Sequence, residues 1–200
     1  MSRVLTVRRT GPQLTVQDLG RPGYLAQGLS RGGAADRLAI AEGAALLGQD
    51  GALAALELAG FGGGFETGEP MRIALTGAPM TAKIGDRAVA WNSSFTLEPG
   101  EVLEIGAATV GIYGYLSVAG GIDIAPMLGS RATHLVAGVG AKLEAGAVLP
   151  VGPDPDPGRA PMRLDAEPRF RGGDVRIVPG AQTGFYDTET RTRFEATEFT

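Results

Sequence analysis

The feature that most constrains the fold of this sequence is a series of short β-rich segments separated by turn residues. The predicted strands are Ala54–Leu58, Met71–Thr76, Ala82–Ile84, Ala88–Trp91, Phe95–Leu97, Val102–Ile105 and Gly111–Val118. Turn residues separate two pairs of them explicitly, as Gly85-Asp86-Arg87 and as Pro99-Gly100, and the second is typical of a type II turn. Closely spaced strands of this kind predict a mainly β fold, either an antiparallel barrel or a sandwich.

Strands at both ends complete the predicted β domain, which spans residues 1–151. Val4–Val7 and Leu14–Gln17 predict two short strands, and Gly11-Pro12 between them predicts a turn that pairs them as an opening hairpin. Leu143–Val151 predicts the last strand of the domain. After it the composition of the chain changes.

One substantial helix is predicted, over about residues 35–47. The segment is apolar nearly all round, and Gly48 follows it as a C-terminal cap. Gly43 inside this segment costs roughly 1 kcal/mol relative to alanine. Either the helix assignment is imperfect, therefore, or a neighbouring element packs closely against Gly43.

The last quarter of the chain predicts a linker and the beginning of a second domain. Residues 152–173 include the run Pro153–Gly158, which cannot hold a strand ladder or a helix interior and predicts an exposed linker. Val175–Gly180 is typical of an opening strand, so residues 174–200 are interpreted as the truncated start of a second β domain. Its expected apolar anchors are Phe185, Tyr186, Phe194 and Phe199.

Composition and charge exclude several classes of function. The chain has no cysteine and one histidine, so no thiolate metal site, disulfide or zinc centre is expected. A net charge of -4 with mixed signs argues against a nucleic-acid partner. The sequence shows neither a signal-peptide pattern nor a long apolar run, so we expect a cytoplasmic protein with no membrane association.

Single motifs do not establish a class of enzyme. Gly28–Gly32 matches the G-x-S-x-G elbow and His134 lies downstream, but the surrounding strands do not fit an α/β-hydrolase. Ser30 is therefore interpreted as a turn hydroxyl, and His134 as a partly buried strand residue rather than a catalytic base. Gly60–Gly64 opens no helix that would receive a dinucleotide, and no phosphate-binding loop is present. Glu57, between two leucines, is interpreted as a solvated residue.

Polar residues concentrate in a bend near the N-terminus, over Val16–Tyr24 and then Gly32–Asp36. Loops that a rigid scaffold supports can direct side chains into a cleft, so this stretch is a candidate site. In the alternative interpretation, Asp18 and Arg21 merely satisfy backbone groups in a tight turn. The residues themselves leave both interpretations open.

Several ordered blocks resemble one family, the allophanate hydrolase subunit 2 or biotin-dependent carboxyltransferase family, which includes the C subunit of 5-oxoprolinase and the KipI antagonist. The blocks are Thr15–Tyr24, Gly28 with Gly33-Ala34 and Asp36, Leu56-Glu57, Leu75–Ala78, Tyr115–Ile122 and Leu128–Arg131. Val175–Gly180 is also similar to the opening of the second half of the family. The resemblance therefore covers most of the chain.

The resemblance implies a cyclophilin-like antiparallel β-barrel and a role in a heteromeric complex. The expected partners are a KipI-like subunit 1/B protein and a LamB/YcsF-type third subunit. The implied activity is ATP-dependent opening of 5-oxoproline to glutamate. Alternatives are the carboxyltransferase component of a urea carboxylase or allophanate hydrolase system, and a non-catalytic regulatory binding protein. This chain is expected to bind no cofactor itself, because ATP or biotin would arrive on partner subunits.

Both reactions act on a small amide whose oxygen gathers negative charge, which calls for a guanidinium at the oxygen and a carboxylate or amide at the nitrogen. By residue type, Arg21 or Arg131 would serve in the first role. The candidates for the second role are Gln17, Asp18 and Asp36. The expected substrate contacts are Gly77, Tyr113, Gly129, Ser130 and His134. No metal site is predicted.

The sequence departs from the family at four positions. Members usually have a serine where this chain has Gly32 and an arginine where it has Tyr113. Their later Gly-Arg and Gly-Asp pairs are replaced by pairs that end in Ala141 and Ala147. Because nothing obvious in the sequence replaces the lost guanidinium donors, a different substrate or a non-catalytic role stays open.

Overall fold

The structure is a computed structural model that describes residues 3–165, 169–170, 172–174 and 177–198. The chain divides into two compact units, residues 1–170 and residues 171–200. The strands, all in the first unit, are β1 Val4–Arg9, β2 Leu14–Gln17, β3 Ala55–Ala59, β4 Gly64–Thr67, β5 Met71–Gly77, β6 Met80–Ile84, β7 Arg87–Ala88, β8 Ser93–Leu97, β9 Val102–Ala108, β10 Tyr113–Val118 and β11 Val148–Pro150. The helices are α1 Arg37–Leu47 and α2 Thr188–Ala196, and short 3-10 turns lie at Leu25–Gln27, Leu135–Ala137 and Thr183–Phe185.

Two antiparallel sheets enclose one hydrophobic core, which confirms the predicted mainly β class. The six-stranded sheet has the order β11-β1-β4-β9-β6-β7, and the five-stranded sheet has the order β2-β3-β10-β5-β8. Both sheets contribute alternate apolar residues to the core, as β1 does with Leu5 and Val7 and β10 with Leu116 and Val118. Within the described part of the chain, no helix is long and apolar enough to cross a membrane.

The predicted opening hairpin is wrong, because β1 and β2 belong to different sheets. β1 pairs with β4 and β11, whereas β2 pairs with β3. At the turn, a Cβ on Gly11 would lie 2.5 Å from the carbonyl oxygen of Phe61 and 2.6 Å from that of Gly62. Gly11 therefore permits a close backbone approach at the point where the chain passes from one sheet to the other. β4 was not predicted, because four residues within glycine-rich sequence carry little periodic signal.

A polar row crosses the outer face of the five-stranded sheet. The strand register places Thr15 opposite Glu57, Glu57 opposite Tyr115, and Tyr115 opposite Thr76. Glu57 is buried, so the interpretation of it as a solvated residue is wrong. Its Oε2 accepts hydrogen bonds from the Tyr115 hydroxyl at 2.6 Å and from the backbone N–H of Ala35 at 2.8 Å. These two hydrogen bonds offset the free-energy cost of burying the carboxylate.

Helix α1 covers this face and agrees with the predicted position. Asp36 caps its N-terminus by accepting a hydrogen bond from Ala39 N at 3.1 Å, and Gly48 ends it in the left-handed conformation. The Thr76 hydroxyl donates to the carbonyl oxygen of Ala39 at 2.7 Å. Gly43 faces Ser117 on β10: a Cβ at position 43 would overlap with Ser117 Oγ and lie 3.1 Å from Ser117 Cβ. Of the two explanations that the sequence allowed for Gly43, the structure therefore supports close packing by a neighbouring element.

Gly43→Ala is therefore expected to destabilise the protein by about 1–2 kcal/mol, because overpacking outweighs the gain in helix propensity. Urea unfolding followed by circular dichroism measures the change. In a background carrying Ser117→Ala, which removes the nearest atom, the same substitution should cost less. A stabilising effect of Gly43→Ala in the unmodified protein would contradict this packing.

The first part of the predicted linker packs against the β domain, although most of its described residues are exposed, as predicted. Residues 152–165 contain no described helix or strand, yet Ser94 N donates to Met162 O at 2.8 Å and Met162 N donates to Ser94 Oγ at 2.9 Å. Asp154 forms an ion pair of 2.5 Å with Arg72, whose guanidinium also donates to the carbonyl oxygen of Leu47 at the end of α1. The buried Arg72 guanidinium on β5 requires such a partner, which draws the segment onto the domain.

The Arg72 guanidinium, by hydrogen bonding, holds the pKa of the Asp154 carboxyl below its ordinary value of 3.8. Since the pKa is lower in the folded state, the stabilisation is fully present above about pH 4 and is lost as the pH falls through the folded-state value. We expect Asp154→Asn to lower the free energy of unfolding by about 2 kcal/mol at pH 7. When urea unfolding is repeated at decreasing pH, the free energy of unfolding of the variant should converge on that of the wild type. Asp156→Asn, which changes an exposed carboxylate, is the control. If the loss of stability caused by Asp154→Asn did not change with pH, the link between the lowered pKa of Asp154 and stability would be refuted.

In the second unit the described residues form a 3-10 turn and then α2, capped by Asp187, which accepts a hydrogen bond from Thr190 N at 2.7 Å. This helix was not predicted, because its polar sequence has no apolar period. Val175, Arg176 and Phe199, on which part of the expected second domain rested, lie outside the described residues. The expected anchors Phe185, Tyr186 and Phe194 are exposed.

Candidate functional site

A buried carboxylate, Asp18, holds two distant loops together. It follows β2, and both of its oxygens accept hydrogen bonds: Oδ1 from Gly20 N at 2.7 Å and from Ser130 Oγ at 2.6 Å, and Oδ2 from Arg131 N at 2.6 Å. The Asp18 backbone oxygen accepts from Ala34 N at 2.9 Å. The N-terminal bend and the loop before residue 131 are thereby fixed to each other, although more than a hundred residues separate them in sequence.

Arg21 is the largest of the fully buried side chains, with 1% of its surface exposed. Its guanidinium donates to the carbonyl oxygens of Ala132, through Nη2, and of Met127, through Nε at 3.4 Å. Among the described residues, Nη1 has no hydrogen-bond partner and no carboxylate lies within ion-pair distance of Arg21. A buried cation paired only with carbonyl dipoles is costly, and one of its donors stays unused.

Gln17, the last residue of β2, leaves an acceptor unused beside the same loop. Its Nε2 donates to Thr133 O at 3.1 Å and to Thr15 Oγ1 at 3.2 Å. Its Oε1 is buried and has no hydrogen-bond partner among the described residues. In the part of the chain that the structure describes, one buried side-chain donor, on Arg21, and one buried side-chain acceptor, on Gln17, thus have no partner. Both side chains donate to adjacent carbonyl oxygens, those of Ala132 and Thr133.

A tight turn positions Ser130 and Arg131. Met127 and Ser130 exchange two backbone hydrogen bonds, and the residues between them, Leu128 and Gly129, have φ angles of 53° and 78°. Two positive φ angles are the pattern of a type I′ turn, in which leucine is strained by about 1–2 kcal/mol. Arg131 is held by Ile124 O at 2.7 Å and by Asp123 Oδ1 at 2.5 Å. We call Gln17, Asp18, Arg21, Ser130 and Arg131 together the Asp18 cluster.

A cleft of about 240 Å³ opens beside the Asp18 cluster. Its lining residues include Arg21, Ser130, Arg131, Lys142 and Leu143. Pockets for drug-sized ligands measure roughly 300–1,000 Å³, so this cleft suits a smaller molecule. The charged residues that line it are all cationic.

His134, Ser30 and Gly32 form a second polar contact next to the cluster. Ser30 Oγ lies 2.7 Å from His134 Nε2, and His134 Nδ1 accepts a hydrogen bond from Ala137 N at 3.2 Å. Because a backbone N–H can only donate, the neutral imidazole carries its proton on Nε2 and donates it to Ser30. The imidazole therefore does not activate Ser30 as a nucleophile, in agreement with the rejected hydrolase motif. His134 lies at the start of a 3-10 turn rather than in a strand.

The glycine at position 32 makes room for this histidine. A Cβ there would lie 2.8 Å from His134 Cδ2 and 3.6 Å from Arg21 Nη1, and the φ angle of Gly32 is +60°. A serine at this position would therefore require the imidazole to move. The departure from the family at Gly32 and the presence of His134 are sterically linked.

Three other predicted site residues lie apart from the Asp18 cluster. Asp36 caps α1, and its Oδ2 accepts from Arg169 Nη2 at 3.0 Å; Arg169 also binds Glu42. Gly77 and Tyr113 lie on β5 and β10, and β3 separates β10 from β2. Gly77 O accepts a hydrogen bond from Trp91 Nε1 at 3.0 Å. Among the predicted residues, the structure brings together Gln17, Asp18, Arg21, Gly129, Ser130, Arg131 and His134.

Tyr115 was not predicted as a site residue, yet it links the polar row of the five-stranded sheet to the start of α1. Burial, followed by the neighbouring Glu57 carboxylate, raises the pKa of the Tyr115 hydroxyl, which therefore stays protonated. The hydroxyl donates to Glu57 and accepts from Asp36 N at 2.8 Å. The alternation around Glu57 is the sequence signal that points to a polar partner on the same face. Within the described ranges, no group of three or more acidic or histidine side chains is placed to hold a metal ion.

Comparisons with known proteins agree with this architecture. A family model described as carboxyltransferase domain, subdomain A and B, matches residues 27–200. The chain is 33% identical over 198 residues to the C subunit of 5-oxoprolinase from Escherichia coli (strain K12), a match that covers 96% of this chain and 62% of that protein. It is 35% identical over 126 residues to the C subunit of 5-oxoprolinase from Haemophilus influenzae, covering 63% of this chain and 41% of that protein.

Two solved structures share the fold. TTHA0988 superimposes with a TM-score of 0.84 at 28% identity, covering 90% of this chain and 37% of that chain. The urea amidolyase of K. lactis superimposes with a TM-score of 0.71 at 30% identity, covering 76% of this chain and 10% of that chain. The chain therefore spans less than two thirds of the length of these relatives.

Proposed function

Because the chain belongs to the carboxyltransferase domain family, subdomains A and B, we propose that it is a subunit of an amide-processing complex that opens 5-oxoproline to glutamate with ATP. The observation that carries the proposal is the buried Arg21 guanidinium in the wall of a cleft sized for a small molecule. The similarity to 5-oxoprolinase proteins from two bacteria supports this choice of reaction.

The geometry fits the opening of an amide. When a nucleophile adds to an amide carbon, negative charge develops on the oxygen, and fixed donors stabilise it. Arg21 and Arg131 are both held by carbonyl oxygens, so their remaining N–H groups need little rearrangement to bind a ligand. Asp18 has three donors and acts by positioning the two loops rather than as a free base.

Other subunits would supply ATP and the rest of the catalytic machinery. The sequence contains no phosphate-binding loop, so the proposal assigns ATP to a KipI-like subunit 1/B partner, with a LamB/YcsF-type protein as a third subunit. The similar bacterial proteins are each named as one subunit of 5-oxoprolinase, which implies an assembly of several chains. The proposal places this complex in the cytoplasm.

A carboxyltransferase acting on urea is the second candidate. Its support is the likeness to the urea amidolyase of K. lactis and a 31% identity over 135 residues to the urea amidolyase of Lachancea kluyveri. No Met-Lys-Met attachment signal is present, so biotin would arrive on another chain. A third candidate, a regulator without activity, draws on the departures from the family at Gly32 and Tyr113.

Co-purification of the full-length chain with its partners, followed by an assay of glutamate formed from 5-oxoproline with ATP, tests the proposal. We expect turnover that requires every subunit. The same complex is tested for carboxylation of urea with a biotin-carrying partner. Assembly of an intact complex that turns over neither substrate would overturn the proposal and favour the regulatory role.

A further inference from the structure

The charges around the cleft are unbalanced. Arg21, Arg131 and Lys142 line it, and no carboxylate is among its lining residues. Of these cations, Arg131 is paired with the exposed Asp123, whereas the Lys142 ammonium contacts only the carbonyl oxygen of Pro12, at 3.4 Å, among the described residues. The cleft therefore presents a positive field to a small ligand.

The buried guanidinium of Arg21 adds to this excess of positive charge. A guanidinium with 1% exposure has lost nearly all of its hydration, and its two described hydrogen bonds are made to neutral carbonyls. Its Nη1 has no hydrogen-bond partner among the described residues and lies near Gly32, which has no side chain to offer it one. A buried charge of this kind is best compensated by an opposite charge, and a carboxylate matches the planar geometry of the guanidinium.

We propose that the cleft recognises the carboxylate of its ligand, so that Arg21 and Lys142 select a small anionic amide over a neutral one. This inference rests on the proposed function and deepens it. It assigns Arg21 to the charged end of the substrate and leaves Arg131 for the amide oxygen. A lactam that carries a carboxylate satisfies both groups, whereas urea has no anionic group to offer Arg21.

Calorimetric titration of the full-length protein with two matched probes tests the inference. L-5-oxoproline carries both the lactam and the carboxylate, and 2-pyrrolidinone is the same ring without the carboxylate. We expect 5-oxoproline to bind at least about tenfold more tightly, with an affinity that falls as salt is added. The affinity for 2-pyrrolidinone should not respond to salt.

Lysine substitutions provide a matched pair of variants, because the chain has two lysines. Lys142→Met should weaken 5-oxoproline binding about fivefold and leave 2-pyrrolidinone unaffected, the size expected for a partly exposed ion pair. Lys83→Met, on the exposed face of β6, should change neither affinity. Lys142 is exposed, so its variant is expected to fold normally.

Equal affinity for the two probes, or a Lys142→Met variant that binds 5-oxoproline like the wild type, would overturn the inference. If the complex opens 5-oxoproline while the probes bind equally, the inference fails and the proposed function stands. If the complex has no ring-opening activity but the cleft still prefers the carboxylate, the proposed function fails and the anion site stands.

Discussion

A complex that carries Arg21→Lys is expected to open 5-oxoproline about 100-fold more slowly than the wild type, measured as kcat/KM. Lysine keeps the positive charge but loses the planar fork that binds the carbonyl oxygens of Met127 and Ala132. The ammonium group cannot contact both carbonyls and the ligand in the same geometry.

Arg87→Lys is the matched control, because Arg87 is exposed and its described ion pair, with Glu101, is 3.5 Å long. It should leave kcat/KM unchanged. Circular dichroism of both variants separates a loss of activity from a loss of fold. Wild-type activity in a folded Arg21→Lys complex would remove Arg21 from the site.

Asp18→Asn is expected to lower the free energy of unfolding by about 3 kcal/mol, because it removes a buried charge that three donors share. The amide has nearly the same shape, but its NH₂ group would face a donor, either Arg131 N on one side or Gly20 N on the other. For a chain of this length, the loss corresponds to a decrease in Tm of roughly 10 °C.

Thermal and urea unfolding measure this effect, and Asp123→Asn is the control. Asp123 also contacts Arg131, but its side chain is 54% exposed, so we expect its substitution to cost less than about 1 kcal/mol. Equal effects of the two substitutions would mean that Asp18 does not hold the two loops together.

These two predictions concern one turn of the chain but different properties. Both carboxylate oxygens of Asp18 accept hydrogen bonds and fix the position of the 127–131 loop. Arg21 lines a cleft and has one donor without a partner among the described residues. The Asp18 substitution should therefore act mainly through stability, and the Arg21 substitution mainly through kcat/KM. Complexes assembled below the Tm of the Asp18 variant allow the two effects to be measured separately.

Local patterns in the sequence predicted most of the secondary structure. Alternating apolar residues and turn glycines located most of the strands, and the apolar run with Gly48 located α1 within two residues of its observed start. The local failures included β4, which is too short, and α2, which has no apolar period. The strands predicted over Ala88–Trp91 and Leu143–Val151 are also shorter in the structure, at Arg87–Ala88 and Val148–Pro150. Backbone conformation in such segments depends on neighbours that the local sequence does not reveal.

Strand pairing was less predictable. The turn at Gly11-Pro12 predicted a hairpin, but β1 pairs with β4 and β11 and β2 pairs with β3, while Gly11 packs on Phe61 and Gly62. Glu57 shows the same limit: its alternation with leucines indicated the opposite face, but not that α1 and the 34–36 segment would bury that face. Both outcomes depend on contacts between residues far apart in sequence.

The sequence by itself determined the class of fold, the position of α1, the membership of the family and the polar residues from which a site could be built. The tertiary structure decided which of those residues meet. It joined Asp18 to Ser130 and Arg131, assigned Asp36 to a helix cap and an ion pair, and left Arg21 buried without a carboxylate among the described residues. The physical reason is that propensity is local, whereas a buried polar group is satisfied by whatever the topology places opposite it.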